Sequence, residues 1–229
     1  MQKNRQIKLI VALDFYEESE ALSLCRKLDP HSCRLKVGKQ LFTKYGPSII
    51  EKIHSMGFEI FLDLKFHDIP VTVYKACVEA YKLGIWMLNI HLLGGREMVI
   101  AAKRARDEIR PQSKLIGVTL LTSHADKDLA YLGLKNRQQL VKELASIAAD
   151  VSIDGIVCSP SDIKFIHEVS KILEFITPGI RLDKKLNDHA SVFTPKEAIN
   201  IGSTYLVIGR PITEAMDPVS IIEKINLSI

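Results

Sequence analysis

The chain has no apolar run long enough to cross a membrane, no paired-cysteine motif and no glycine fingerprint for a dinucleotide. Its longest apolar runs, such as Leu9–Leu13, fall far short of the ~20 residues that a spanning helix needs. Basic residues precede that run, as they do in a signal peptide. It stops at Asp14, however, with no small-residue cleavage site after it, so a first strand is expected and no membrane partner. The four cysteines, Cys25, Cys33, Cys77 and Cys158, form no C-x-x-C pair and are expected to be free thiols in a reducing cytoplasm. A one-signed charge patch is missing too. Net charge is +4, and the densest cluster, Lys103-Arg104-Ala105-Arg106, runs straight into Asp107-Glu108. No aromatic residues interleave there for base stacking, so the pattern predicts a solvated helix face and no nucleic-acid partner. No Pro/Gly/Ser-rich linker, low-complexity tract or shift in composition divides residues 1–229, which predicts a single domain.

What is present is 47% hydrophobic residues against 25% charged, ample for a globular core. Short β-branched runs recur at Leu9–Leu13, Arg34–Val37, Glu59–Leu64, Trp86–Ile90, Leu115–Leu121, Gly155–Cys158, Leu173–Thr177 and Tyr205–Ile208. Helical periodicity fills segments between them, among them Glu17–Leu28, Thr43–Met56, Val71–Leu83, Arg137–Ala149 and Asp162–Ile172. Eight strands alternating with helices predict an α/β fold with a parallel sheet, closed as a (β/α)8 TIM barrel. An open doubly wound sheet is the competing arrangement. The missing G-x-G-x-x-G after the first strand weakens its dinucleotide-binding version.

The polar residues fall where a barrel would use them. Asp14 ends the first expected strand, Lys36 lies within the second, and Asp63 and Lys65 end the third. His91, Thr122, Ser159, Arg181 and Gly209-Arg210 follow the next five, at the C-terminal rim where barrel enzymes build their sites. Within Asp63-Leu64-Lys65-Phe66-His67-Asp68-Ile69-Pro70, strand alternation puts Asp63 and Lys65 on one face, about 6.6 Å apart along the backbone. Alone, that pair is an ordinary surface salt bridge. Five charged groups at one rim make a functional cluster the better reading.

Two loops suggest an anion. Thr177-Pro178-Gly179-Ile180-Arg181 and Val207-Ile208-Gly209-Arg210-Pro211 close strands seven and eight, where barrels commonly hold phosphate. Gly209 would admit a close backbone N–H, and Arg210 a bidentate fork. The polar segment Leu182–Phe193 is long enough to act as a lid. Other features carry less. Asp126-Lys127-Asp128 lacks the rest of a calcium loop; His31, His54, His124 and His167 have no metal spacing and are expected at the surface or as caps. Ser159 lies in C-S-P-S rather than G-x-S-x-G, and the lone Trp86 is expected in the core.

Taken in order, Val11-Ala12-Leu13-Asp14, Leu35-Lys36-Val37-Gly38, Asp63 to Pro70, Thr177 to Arg181 and Ile208-Gly209-Arg210-Pro211 closely resemble the orotidine 5'-phosphate decarboxylases, in their bacterial form. The resemblance covers essentially the whole chain and implies a barrel of the ribulose-phosphate-binding kind. It also implies conversion of orotidine 5'-monophosphate to UMP and CO2, the last step of de novo UMP synthesis, with no cofactor and no metal. Lys65 would protonate C6 of the pyrimidine, Asp63 would lie against the departing carboxylate, and Lys36 would join an alternating Lys36/Asp63/Lys65/Asp68 array. Asp14 would hold the ribose hydroxyls or the ring, and Thr122 the pyrimidine. Asp63, Leu64, Lys65, Phe66, His67, Asp68, Ile69, Pro70, Val71 and Thr72 would together border the substrate. Within that run, Asp68, Ile69 and Thr72 would reach the neighbouring site of a homodimer. Pro178 would border the substrate, and Arg181, Gly209 and Arg210 would bind the phosphate region.

One stretch departs from the family pattern. After T-P-G-I-R this chain continues Leu182-Asp183-Lys184, and the family's later Asp-Gln pair becomes Asp188-His189, so His189 or Lys184 would replace a phosphate contact. Other phosphosugar barrels, the keto-gulonate phosphate decarboxylases and hexulose-phosphate synthases, share D-x-K-x-x-D but depend on magnesium and lack D-I-P and T-P-G-I-R in this arrangement. A silent nucleotide-binding sensor is the alternative from another class; the intact Lys/Asp set argues against it.

Overall fold

The computed structural model describes residues 7–121, 129, 136–182 and 192–229. Eight parallel strands close into a barrel in sequence order: β1 Leu9–Ala12, β2 Arg34–Gly38, β3 Ile60–Phe66, β4 Met87–His91, β5 Lys114–Val118, β6 Gly155–Val157, β7 Glu174–Thr177 and β8 Tyr205–Ile208. Closure is direct, since Ile10 of β1 pairs with Arg34 of β2 on one side and with Val207 of β8 on the other. The (β/α)8 architecture expected from alternation is therefore the one observed.

The period of two along each strand sorts the side chains into two layers. Ile10, Ala12, Phe61, Met87, Ile116 and Ile176 belong to the cluster inside the barrel. Their strand neighbours Leu9, Val11, Leu62, Leu88 and Leu115 pack outward under the helices. The same parity turns Lys36 inward between outward Leu35 and Val37, and Asp63 inward two residues after Phe61. For Lys36 and Asp63, local sequence parity thus decides entry into the barrel.

Helix starts follow backbone chemistry. The helix Pro70–Lys82 begins on a proline whose missing N–H belongs to a helical first turn, after extended Ile69. Pro195–Ile201 opens with a capping box between Thr194 and Glu197. The expected helix Thr43–Met56 is in fact two, Lys39–Tyr45 and Pro47–His54, because Gly46 takes φ +59° and Pro47 cannot continue a helix. Asp162–Ile172 is also shorter than expected, a helix only over Ile163–His167, closed when Ser170 N–H returns to Ile166 O.

Three side-chain expectations need correction. Arg106, read as part of a solvated face, is 7% exposed. It lies on the helix Arg96–Ile109 and bonds Asp107, Asp154 and Ser113 O. It lies seven residues after Val99 and four after Ala102, a spacing that carries it onto the buried face. Trp86 is only half-buried, stacked under the Arg34 guanidinium 4.1 Å away at the N-terminal end of the barrel. His54 and His167 are half-buried too, against Phe58 O and the Phe175 ring respectively.

Candidate active site

At the C-terminal mouth, side chains from the end of β1, from β2 and from β3 form one connected charge chain. Lys36 Nζ lies 3.0 Å from Asp14 Oδ1 and 3.4 Å from Asp63 Oδ2, and Lys65 Nζ lies 2.5 Å from Asp63 Oδ1. Asp14 stands just past β1, where Leu13 N–H still bonds Lys36 O. Charge alternates along the chain as −, +, −, +. That alternation offsets the cost of holding Lys36, at 9% side-chain exposure, and Asp63, at 13%, out of water. Burial pushes the Asp63 pKa up, but the two lysines and the hydrogen bonds from Lys65 and Asn89 outweigh it, leaving the carboxyl below its ordinary value.

The third strand is not regular. Leu62 pairs with Leu88 and Phe66 with Ile90, so β3 uses four residues where β4 uses two. Lys65 sits in this bulge at φ +51°, the left-handed region that side-chain-bearing residues seldom occupy. The simple two-residue alternation expected for Asp63 and Lys65 is thus replaced by a fold-back that brings ammonium onto carboxylate.

Asn89 was missed by sequence reasoning. It is 1% exposed on β4 and bridges the bulge, accepting Lys65 N–H at 2.8 Å on Oδ1 and donating from Nδ2 to Asp63 Oδ1 at 2.6 Å. The available signal was an asparagine at the inward parity, two residues after inward Met87.

A cavity of about 190 Å³ opens beside this array. Lys36, Asp63, Lys65 and Asn89 line its polar side, and Val118, Leu120, Val157, Cys158 and Ile176 its apolar side. Burial keeps the Cys158 thiol protonated, its pKa pushed far up. Pro178 borders the same cavity. Arg181 and Arg210 stand at the rim, Arg210 exposed at the start of the short helix Arg210–Thr213, and Gly209 directs its open side at Ala12 and Asp14. His91 closes β4 rather than following it, its ring 5.5 Å from that of His67.

Asp68 is not part of this charge chain. Its carboxylate accepts Ile69 N–H at 2.6 Å, and residues 67–72 are all exposed, Ile69 at 62% and Val71 at 54%. Leu64 and Phe66 pack partly buried toward the helices. Thr122, Lys184, His189 and the Asp126–Asp128 run lie outside the described residues, as does most of the expected lid.

A parallel eight-stranded barrel with a lysine–aspartate array at its C-terminal mouth, next to a half-apolar cavity, has the layout of a barrel enzyme's active site. The family model described as "Orotidine 5'-phosphate decarboxylase / HUMPS family" matches residues 7–225, and the chain belongs to that family. Among curated relatives, the orotidine 5'-phosphate decarboxylase of Nitrosospira multiformis is 48% identical over 226 residues, covering 97% of this chain and 93% of the relative. That of Hydrogenovibrio crunogenus is 47% identical over 225 residues, at 97% and 95% coverage. Among solved structures, orotidine 5'-phosphate decarboxylase from Lactobacillus acidophilus superposes with a TM-score of 0.85 at 38% identity, covering 97% of this chain and 99% of that one.

Proposed function

We propose that this chain decarboxylates orotidine 5'-monophosphate to UMP and CO2, without a cofactor. The observation that carries the reading is the Asp14–Lys36–Asp63–Lys65 chain against the half-apolar cavity, in a member of this family. The whole nucleotide exceeds that cavity, since complete ligand pockets usually run to about 300–1,000 Å³. The base fits within it, the ribose against Asp14, and the phosphate on Gly209, Arg210 and Arg181 at the rim.

Loss of CO2 from C6 leaves an electron pair in the ring plane with no adjacent carbonyl to delocalise it. Preorganised charge is the available means of stabilisation. The Lys65 ammonium acts first as countercharge and then as the source of the proton on C6, while Asp63, held ionised, faces the departing carboxylate. Two unit charges about 4 Å apart attract by roughly 4 kcal/mol at an effective dielectric of 20. Accelerations near ~10¹⁷-fold need about 23 kcal/mol, so one ion pair is insufficient. Binding of the remote phosphate must supply most of the remainder through positioning.

Asp68, Ile69 and Thr72 reach the neighbouring site of a homodimer in this reading. Exposed Ile69 and Val71 beside the array support it, as apolar side chains clustered at a functional rim mark a contact surface. The test is direct. Purified protein in excess EDTA is mixed with orotidine 5'-monophosphate and its ultraviolet absorbance followed. Loss of the substrate signal supports the assignment. No change with metal present or absent refutes it, and a magnesium requirement would favour the phosphosugar branch of the family.

A further inference from the structure

One side chain spans the bulge of β3, and the ladder explains why. Between the pairs Leu62–Leu88 and Phe66–Ile90, residues 63–65 face a single residue of β4, Asn89. The Lys65 N–H therefore has a side-chain oxygen as its partner at 2.8 Å, where a regular strand would offer a carbonyl. The other end of the same carboxamide donates to Asp63 Oδ1 at 2.6 Å. Its orientation follows from its partners, because an N–H requires the oxygen and an ionised carboxylate requires the NH2. Asn89 is 1% exposed, so losing either bond strands a polar group away from water.

We infer that Asn89 is the positioning residue of this site. With one amide it fixes Lys65 in its left-handed backbone conformation and holds the Asp63 carboxylate against the Lys65 ammonium. The inference deepens, and rests on, the decarboxylase reading. Asn89 touches neither the proton that moves nor the bond that breaks. It sets where the ammonium stands relative to the carboxylate, and misplacement on the scale of an ångström lowers the rate of an oriented reaction far more than it lowers binding. Packing alone would not call for an amide here, since Met87 and Ile116 fill the same interior with apolar atoms.

The test uses the full chain, with Asn89→Leu, which keeps the volume and removes both bonds, and Asn89→Asp, which keeps the acceptor but sets a second carboxylate against Asp63. Steady-state decarboxylation, UMP affinity and thermal melts are measured for each. Expected for Asn89→Leu is a kcat about 10²-fold below wild type, the scale for removing one preorganised donor, with KM and UMP affinity within about threefold. The acid limb of kcat/KM is expected at higher pH in both variants, further in Asn89→Asp, since Asp63 loses a donor that favours its ionised form. A purely structural role would lower the active fraction and leave that limb unmoved. Wild-type kcat in both variants, an unmoved acid limb, or failure of both to fold each overturns the inference. Wild-type protein with no turnover overturns the decarboxylase reading, and this one with it; active wild type with indifferent variants overturns this one alone.

Discussion

Replacing Lys36 by methionine removes one charge from the middle of the array while keeping most of the stem that packs there. Lys36 Nζ is 3.4 Å from Asp63 Oδ2, and both side chains are largely out of water. At an effective dielectric of 20 that separation corresponds to about 5 kcal/mol of attraction before relaxation. Its other partner, Asp14, is 65% exposed and screened, so Asp63 feels the loss most. If about 1.4–4 kcal/mol of the attraction survives water entry and rearrangement, kcat/KM falls by about 10- to 10³-fold at pH 7. The sign of the pH effect follows from the direction of the Asp63 shift. Its carboxyl lies below its ordinary value in the folded chain, so its contribution to stability is complete above the unfolded value of about 3.9 and is lost as pH falls through the folded one. Without Lys36 the folded value rises, and both the loss of stability and the acid limb of activity move to higher pH. Steady-state kinetics and urea midpoints between pH 3.5 and 8 (a window set about that ordinary carboxylate value) read both effects. A kcat/KM within threefold of wild type, with an unmoved acid limb, would refute the electrostatic account of the array.

Lys65→Ala is expected to abolish turnover while UMP still binds; calorimetric binding and substrate absorbance check it, and substantial residual turnover removes Lys65 as proton donor. Mixing Lys65→Ala with Asp68→Ala subunits is expected to restore about a quarter of the sites, since half of randomly formed dimers are mixed and each holds one intact site. No recovery between exchanging subunits would place Asp68 in its own subunit's site. Arg106→Met removes the guanidinium that joins the helix Arg96–Ile109 to Asp154 at 2.6 Å and to Ser113 O at 3.2 Å. Breaking a fully buried pair costs about 3–5 kcal/mol, and with Asp154 29% exposed about 1–3 kcal/mol is expected here. A melt should fall by several degrees with kcat unchanged; an unchanged Tm contradicts the role given to Arg106.

The parts of the fold that depend on a period of two were legible in the sequence. Leu35-Lys36-Val37 and Phe61-Leu62-Asp63 each state which neighbour faces the barrel, and the structure keeps both parities. Arg106 was equally legible, at helical spacing from Val99 and Ala102, but the neighbouring acids made a solvated face the simpler account. The break at Gly46-Pro47 was written in residue types that end helices and was outweighed by the apolar periodicity across it. The bulge was not legible. It depends on how β3 registers against β4, a relation between strands 20 residues apart that no local pattern encodes. Asn89 escaped for the same reason: its partners are defined by that register, not by its sequence neighbours.

The bulge also explains why two charges on one strand can act as a pair. In a regular strand Lys65 would stand about 6.6 Å beyond Asp63 along the axis, carrying its ammonium up and out of the mouth. Here β3 spends four residues over an advance that β4 makes in two, and the slack is taken up at Lys65, with φ at +51°. The ladder resumes at Phe66, so the irregular segment is anchored at both ends rather than left as a loop. Strain of this kind persists only where the surroundings over-determine it. Three constraints do so here: the Leu62 and Phe66 pairings and the Asn89 amide. In the proposed reaction an ion pair so fixed would need little reorganisation as charge develops next to it, which is the condition under which fixed charges lower a barrier more than mobile water does. The chain emerging from the bulge then runs directly into exposed Asp68, Ile69 and Val71, so the distortion that orients Lys65 also sets where that apolar rim is presented.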